Sequence, residues 1–248
     1  MLQNILLAAD PAESVDFMIH GVFSYQLFGQ EVWITTSHVC LLIVVLVLCA
    51  FFIIGGNVFR HAKTTPSGFQ NFLELIVEFL DGMVGKTMGK KGNGFKDYIG
   101  TIFIFILFSN ISGLFGLRPP TADYGVTLPL GLITFTLIHV NAFRYNSIKA
   151  VWADKCSPLP PWLPLWMPIN LISDIAVPIS LSLRLFANVL SGTVMMALVY
   201  GLLQKVAYGW PAVLHVYFDL FSGAIQTYVF CMLTMTYISN AMGGEENA

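Results

Sequence analysis

Long apolar blocks run through this chain, separated by short polar ones. Between Glu31 and Arg60 there is no Asp, Glu, Lys or Arg, and the run Val39–Ile54 inside that window reads as a first spanning helix. Gly55 and Gly56 are expected to loosen its end. Two further windows, 98–117 and 124–143, are each charge-free over 20 residues. That length crosses a hydrocarbon core of about 30 Å. The link between them, Arg118-Pro119-Pro120-Thr121-Ala122-Asp123-Tyr124-Gly125, is short and turn-rich, so the two helices should form an antiparallel hairpin. Two longer helical patterns cover 169–205 and 211–240, divided by Tyr208-Gly209-Trp210-Pro211. At about 1.5 Å per residue they would be about 55 Å and about 45 Å long. Helices of that length must tilt steeply or break, and Pro178 is placed to free the carbonyl of Asp174 and kink the first of them.

Phe69–Val84 has a different pattern. Phe69, Phe72, Leu73, Ile76, Val77, Leu80 and Val84 keep a helical period, while Gln70, Asn71, Glu74, Glu78 and Asp81 take the other face. This is an amphipathic helix suited to the membrane surface. Two roles fit it: packing against neighbouring helices, or a docking face for a partner subunit. Residues 156–168 combine proline and tryptophan at a density that excludes a regular helix and favours an interfacial connector. The expected fold is an all-α polytopic membrane protein in one integral membrane domain, 1–248. It has five transmembrane helices plus one amphipathic interfacial helix, the last two transmembrane helices being long and strongly tilted.

Composition supports this. The 248 residues are 56% hydrophobic and only 10% charged, against about 25% charged in soluble domains. No signal peptide or basic targeting stretch is expected at the N-terminus. Cys40, Cys49, Cys156 and Cys231 are scattered without a CxxC pair, which argues against a disulfide framework or zinc site. A net charge of −2 gives no pointer to nucleic acid. Its distribution matters more. Of twelve basic residues, Arg60, Lys63, Lys86, Lys90, Lys91, Lys96, Arg144, Lys149 and Lys155 fall in two loops on one side. The positive-inside rule puts those loops in the cytoplasm, with the N-terminal segment 1–31 outside and the C-terminus inside.

Between Cys156 and Gly244 the only charged residues are Asp174, Arg184, Lys205 and Asp219. An arginine cannot lose its charge, and at the bilayer centre it costs at least about 2.5–3.5 kcal/mol. Arg184 therefore points to an ion pathway or a fixed counter-ion. At about 100° per residue, Asn170, Ser173, Val177, Asn188 and Ser191 fall within about 40° of Arg184, a stripe of small or amide residues. Thr193 falls nearly opposite. On the last helix His215, Asp219, Ser222, Gly223 and Gln226 share a face at three- and four-residue spacing. The plainer alternative is that Arg184 and Asp219 pair to lock two helices together. His139 and His38 read as structural. Asn110, Ser109 and Ser112 should hydrogen-bond neighbouring helices.

At Ser180-Leu181-Ser182-Leu183-Arg184-Leu185-Phe186-Ala187-Asn188 the chain resembles subunit a of the F-type ATP synthase. The likeness extends to Ser109-Asn110-Ile111-Ser112-Gly113-Leu114-Phe115, to Arg118-Pro119-Pro120-Thr121-Ala122-Asp123, and to Gln226 with Leu233-Thr234-Met235-Thr236-Tyr237-Ile238. It covers roughly residues 60–242. The resemblance implies an ion-translocating stator subunit in a bacterial plasma membrane, with two half-channels that load and unload the carboxylates of a c-subunit ring. The hairpin 169–240 would face that ring, and b subunits of a peripheral stalk and the lipid bilayer would be the other partners. It implies that Arg184 separates the half-channels and attracts the ring carboxylate. Asn188 and Gln226 match neighbouring polar positions, and Asp219, next to His215, a half-channel position. Asn170 and Asp174 match the access path, and Ser180 belongs to the arginine motif. Thr193 departs from the family, which often has Glu or His there. The ion, H⁺ or Na⁺, would be cargo, with no cofactor. No GxxxxGK[ST] phosphate loop occurs, so no nucleotide site is expected. A stand-alone secondary transporter is the alternative, although the internal repeats usual in that class are absent.

Overall fold

A computed structural model describes residues 21–27, 30–61, 68–115, 117–147, 151, 167–202 and 210–243. Its helices are α1 (Thr36–Arg60), α2 (Gly68–Met88), α3 (Lys96–Ile111), α4 (Tyr124–Tyr145), α5 (Met167–Leu202), α6 (Trp210–His215) and α7 (Gly223–Ala241). A π-helical turn, Val216–Ser222, joins α6 to α7. Five helical stretches are long and apolar enough to cross a membrane: Thr36–Arg60, Lys91–Phe115, Tyr124–Tyr145, Ile169–Leu202 and Val213–Ala241. The expected five spans are therefore present, and the amphipathic α2 is the helix left out. The tryptophan- and proline-rich connector lies outside the described residues up to position 166.

Two details differ from expectation. The first helix does not loosen at Gly55-Gly56 but runs on to Arg60, because two glycines inside a span already bounded by apolar residues cost less than exposing its backbone to lipid. A two-stranded antiparallel hairpin also precedes the membrane body, β1 (Gly21–Leu27) pairing β2 (Gln30–Thr35), with a register shift between Gly21 and Phe23.

The core lies among α2, α3, α5 and α7. Leu80 and Val84, Ile99 and Ile106, Leu181 and Leu185, and Phe230, Cys231, Met235 and Ile238 are buried together. Burying Leu80, Met83, Val84 and Met88 gives α2 the packing role, while Phe69, Phe72, Leu75 and Phe79 stay exposed on its outer side. Polar contacts fix the two ends of the bundle. Lys91 Nζ donates to the carbonyl of Met242 at 3.2 Å, and Asn146 Nδ2 donates to that of Ala241 at 2.8 Å. Lys96 pairs with Asp81 at 3.0 Å. The ends of α2, α4 and α7 thus meet at one end. At the other, buried Asn110 donates to the Gly223 carbonyl at 3.1 Å and accepts from Thr121 at 2.8 Å. Asn110 makes the interhelical bonds expected of it. Ser112 instead bonds the Ser109 carbonyl within its own segment, at 2.7 Å. Asp123 caps α4, accepting from the Gly125 amide at 2.9 Å.

Helices α4 and α5 touch backbone to backbone. A Cβ on Gly131 would sit 2.6 Å from the Pro178 carbonyl oxygen. Helix α5 runs unbroken through Pro178 for 36 residues, about 54 Å. Such a helix can lie in a core of about 30 Å only obliquely. Gly131→Ala should therefore force α4 and α5 apart at a cost of about 1–3 kcal/mol and lower the thermal midpoint of the detergent-extracted protein. Gly56→Ala, where nothing lies within 4 Å, serves as the unaffected control.

Candidate functional site: a charged helix with polar clusters on either side

Arg184 lies near the middle of α5, on its exposed face. Among the described residues it has no hydrogen-bond or ionic partner. The pairing of Arg184 with Asp219 is not formed, because Asp219 is turned instead to His215, whose Nδ1 lies 3.4 Å from its Oδ2. Ser173, Ser180, Ala187 and Ser191 are exposed on the same side of α5 as the guanidinium. Side chains this small let another helix approach closely enough for a charge to meet its partner.

Two polar clusters flank Arg184 along the helix. Toward the C-terminal end of α5, Ser222 donates to Asn188 Oδ1 at 3.0 Å. The His215 ring lies 5.9 Å from that of Tyr200. Asp219 borders Gly113, where a Cβ would come 3.4 Å from the carboxylate. Toward the N-terminal end, Asp174 precedes Arg184 by ten residues, about 15 Å along the axis. Its Oδ2 lies 3.8 Å from His139 Nε2 on α4. Asn170 is half-buried one turn before Asp174.

The structure brings Asn188, Ser222, His215 and Asp219 to one side of Arg184, and Asn170 and Asp174 to the other. Thr193 is exposed and donates only to its own Leu190 carbonyl at 2.8 Å; no contact joins it to Asp219. The single stripe expected on the last helix is altered by the π-helical turn, which wraps i→i+5 and lags an α-helix by about one residue of rotation. As a result Ser222 reaches Asn188, while Gln226 is buried with its Nε2 unpartnered among the described residues. Sequence reasoning missed two features, the π turn and the contact of His139 with Asp174. No local signal marks either, since His139 and Asp174 stand 35 positions apart on different helices.

These features define a polytopic helical membrane protein in which a permanent cation, unpaired among the described residues, sits between two groups of polar and acidic side chains. A family model for the ATP synthase A chain matches residues 38–239. Subunit a of Limosilactobacillus fermentum is 32% identical over 241 residues, covering 90% of this chain and 98% of that one. The sodium ion specific subunit a of Propionigenium modestum is 36% identical over 203 residues, 75% of this chain and 68% of that one. That of Desulforamulus reducens is 36% identical over 181 residues, 71% and 68%. The chain belongs to the ATP synthase subunit a family. It is a multi-pass, non-catalytic, ion-translocating subunit of the membrane sector of that complex, not a transporter standing alone.

Proposed function

We propose that α5 and the α6–α7 helix form the stator wall of two offset half-channels, with Arg184 as the barrier between them. One observation carries this reading: Arg184 is exposed and unpaired among the described residues, with polar clusters before and after it on the same helix. A guanidinium held in a membrane without an internal counter-charge needs an external one. A ring of c subunits, each presenting one carboxylate, supplies it. The stripe Ser180, Ala187 and Ser191 is the surface against which such a helix slides. Asn188, Ser222, His215, Asp219 and Gln226 line one half-channel, and Asn170 and Asp174 line the other. Thr193 lies on the first path without a carboxylate of its own.

The positive-inside rule supports a bacterial plasma membrane orientation with segment 1–31 outside, and with loop 60–96 and the C-terminus in the cytoplasm. The Asp174 path then opens to the cytoplasm and the Asp219 path to the outside. The outer face of α2, with Phe69, Phe72, Leu75 and Phe79, is the surface available to b subunits of a peripheral stalk. The translocated H⁺ or Na⁺ is cargo, and this reading assigns the chain no cofactor, nucleotide or nucleic acid.

Cysteine mapping tests the two paths. In a complex cleared of its native cysteines, Asn170→Cys and Asp174→Cys should react with an impermeant thiol reagent from the cytoplasmic side. Ser222→Cys and Gln226→Cys should react from the outside, and Ile53→Cys, exposed on α1, should resist both. A single reagent reaching every reactive position from one side would defeat the half-channel reading, because one continuous pore would dissipate the gradient.

A further inference from the structure

One ring nitrogen of His139 has its role fixed by geometry. Nδ1 lies 3.0 Å from the Phe135 carbonyl oxygen, and a carbonyl only accepts, so Nδ1 carries a hydrogen. In neutral imidazole Nε2 is then a bare acceptor. That nitrogen faces Asp174 Oδ2 at 3.8 Å across the α4–α5 interface. A bare nitrogen opposite a carboxylate is two acceptors confronting each other. One added proton removes the conflict, either on Nε2 as imidazolium or on the carboxyl. The separation exceeds a direct hydrogen bond and leaves room for a bridging water. Neither side chain is sealed in the core, at 31% and 27% exposure.

The helices packed on α4 are α5 and α7. Their remaining titratable or charged groups are Tyr124, Arg144 and Tyr145 on α4, Arg184 and Tyr200 on α5, and Tyr228, Cys231 and Tyr237 on α7, with Asp123 capping the far end of α4. Arg144 lies five residues beyond His139 and Arg184 ten beyond Asp174. No second carboxylate or imidazole joins the pair from these helices.

We propose that His139 and Asp174 together form a proton-exchange site of the half-channel at the N-terminal end of α5, His139 acting as the acceptor that the sequence pattern does not reveal. This rests on the half-channel reading above. A hydronium ion in the path gives up one O–H bond as the N–H bond forms at Nε2, leaving water; Asp174 balances the imidazolium charge, and the reverse transfer returns the proton to water as hydronium. No other bond changes.

The test uses the assembled ATP synthase in proteoliposomes, with ATP-driven ion transport measured against pH at a fixed Na⁺ concentration. The wild type should show a pH-dependent limb in the transport rate. His139→Gln should lose that limb. At the wild-type optimum, His139→Gln and Asp174→Asn should each slow transport, and the double variant should be no slower than the worse single one, as for two residues that act as a unit. An unchanged limb in His139→Gln, or losses that multiply in the double variant, would overturn the proposal. Should His139→Gln fail to assemble, Asp174→Asn decides: a displaced or missing limb supports the pair and an unchanged one refutes it. Arg184→Ala separates this proposal from its parent. If that variant is inactive at every pH while His139→Gln keeps the limb, only the pair is discarded; if it is active, the half-channel reading itself falls.

Discussion

Arg184→Ala should abolish coupled ATP synthesis while the subunit still inserts and the complex still assembles. The guanidinium makes no hydrogen bond or ion pair with the described residues of its own chain, so its removal orphans no polar group among them. What is lost is the one fixed positive charge in the membrane interior of the last two spans. Removing a preorganised electrostatic group from a site that excludes water costs at least about 100-fold in rate. Synthesis driven by an imposed gradient should fall by that factor or more, and passive ion leak should rise as the barrier between the two paths disappears. Arg184→Lys should fail as well, since a compact, strongly hydrated ammonium cannot offer the planar fork of donors. Synthesis at the wild-type rate in Arg184→Ala membranes would remove the foundation of the proposed mechanism.

Asp219→Asn comes next in size, with ion flux slowed by about 100-fold. Asp219 is the only carboxylate between Val213 and Ala241. It is half-buried, faces His215 at 3.4 Å and borders Gly113. An amide has nearly the same shape but can neither take up and release a proton nor hold Na⁺ by charge, so loss of flux with assembly intact isolates the chemistry from the packing. Asp219→Glu keeps the charge and should retain more flux than Asp219→Asn, because Gly113 presents no side chain against the longer arm. Initial rates of ATP-driven acidification or Na⁺ uptake in inverted vesicles measure both. Equal rates in wild type and Asp219→Asn would make the carboxylate a packing group.

Much of this was legible in the sequence because lipid is an unforgiving solvent. A charge-free window of 20 residues has few other places to go, so the four charged side chains between Cys156 and Gly244 stood out at once. Arg184 was readable for the same reason: its cost in hydrocarbon is large and nothing nearby in sequence offsets it. The parts that were not legible depend on contacts between distant segments or on small changes of helical winding. His139 meets Asp174 only because Gly131 lets α4 approach the Pro178 backbone. The tie from Asn110 to Gly223 and Thr121 likewise needs three segments folded together. The wheel drawn at a uniform 100° per residue could not foresee that residues 216–222 wind differently. The β-hairpin was in principle readable: Val22, Phe23, Tyr25, Val32, Trp33 and Ile34 are strand formers on either side of Phe28-Gly29.

The π-helical turn also bears on how this chain is compared with its relatives. A π turn holds one residue more than the α turn it replaces. A homologue one residue shorter between positions 210 and 222 could keep both flanking helices in place by winding that stretch as ordinary α-helix. An alignment gap there would then record a change of winding rather than a missing acid. Asp219 should accordingly be matched by its position against the end of α3, beside Gly113, and not by counting residues back from Gln226.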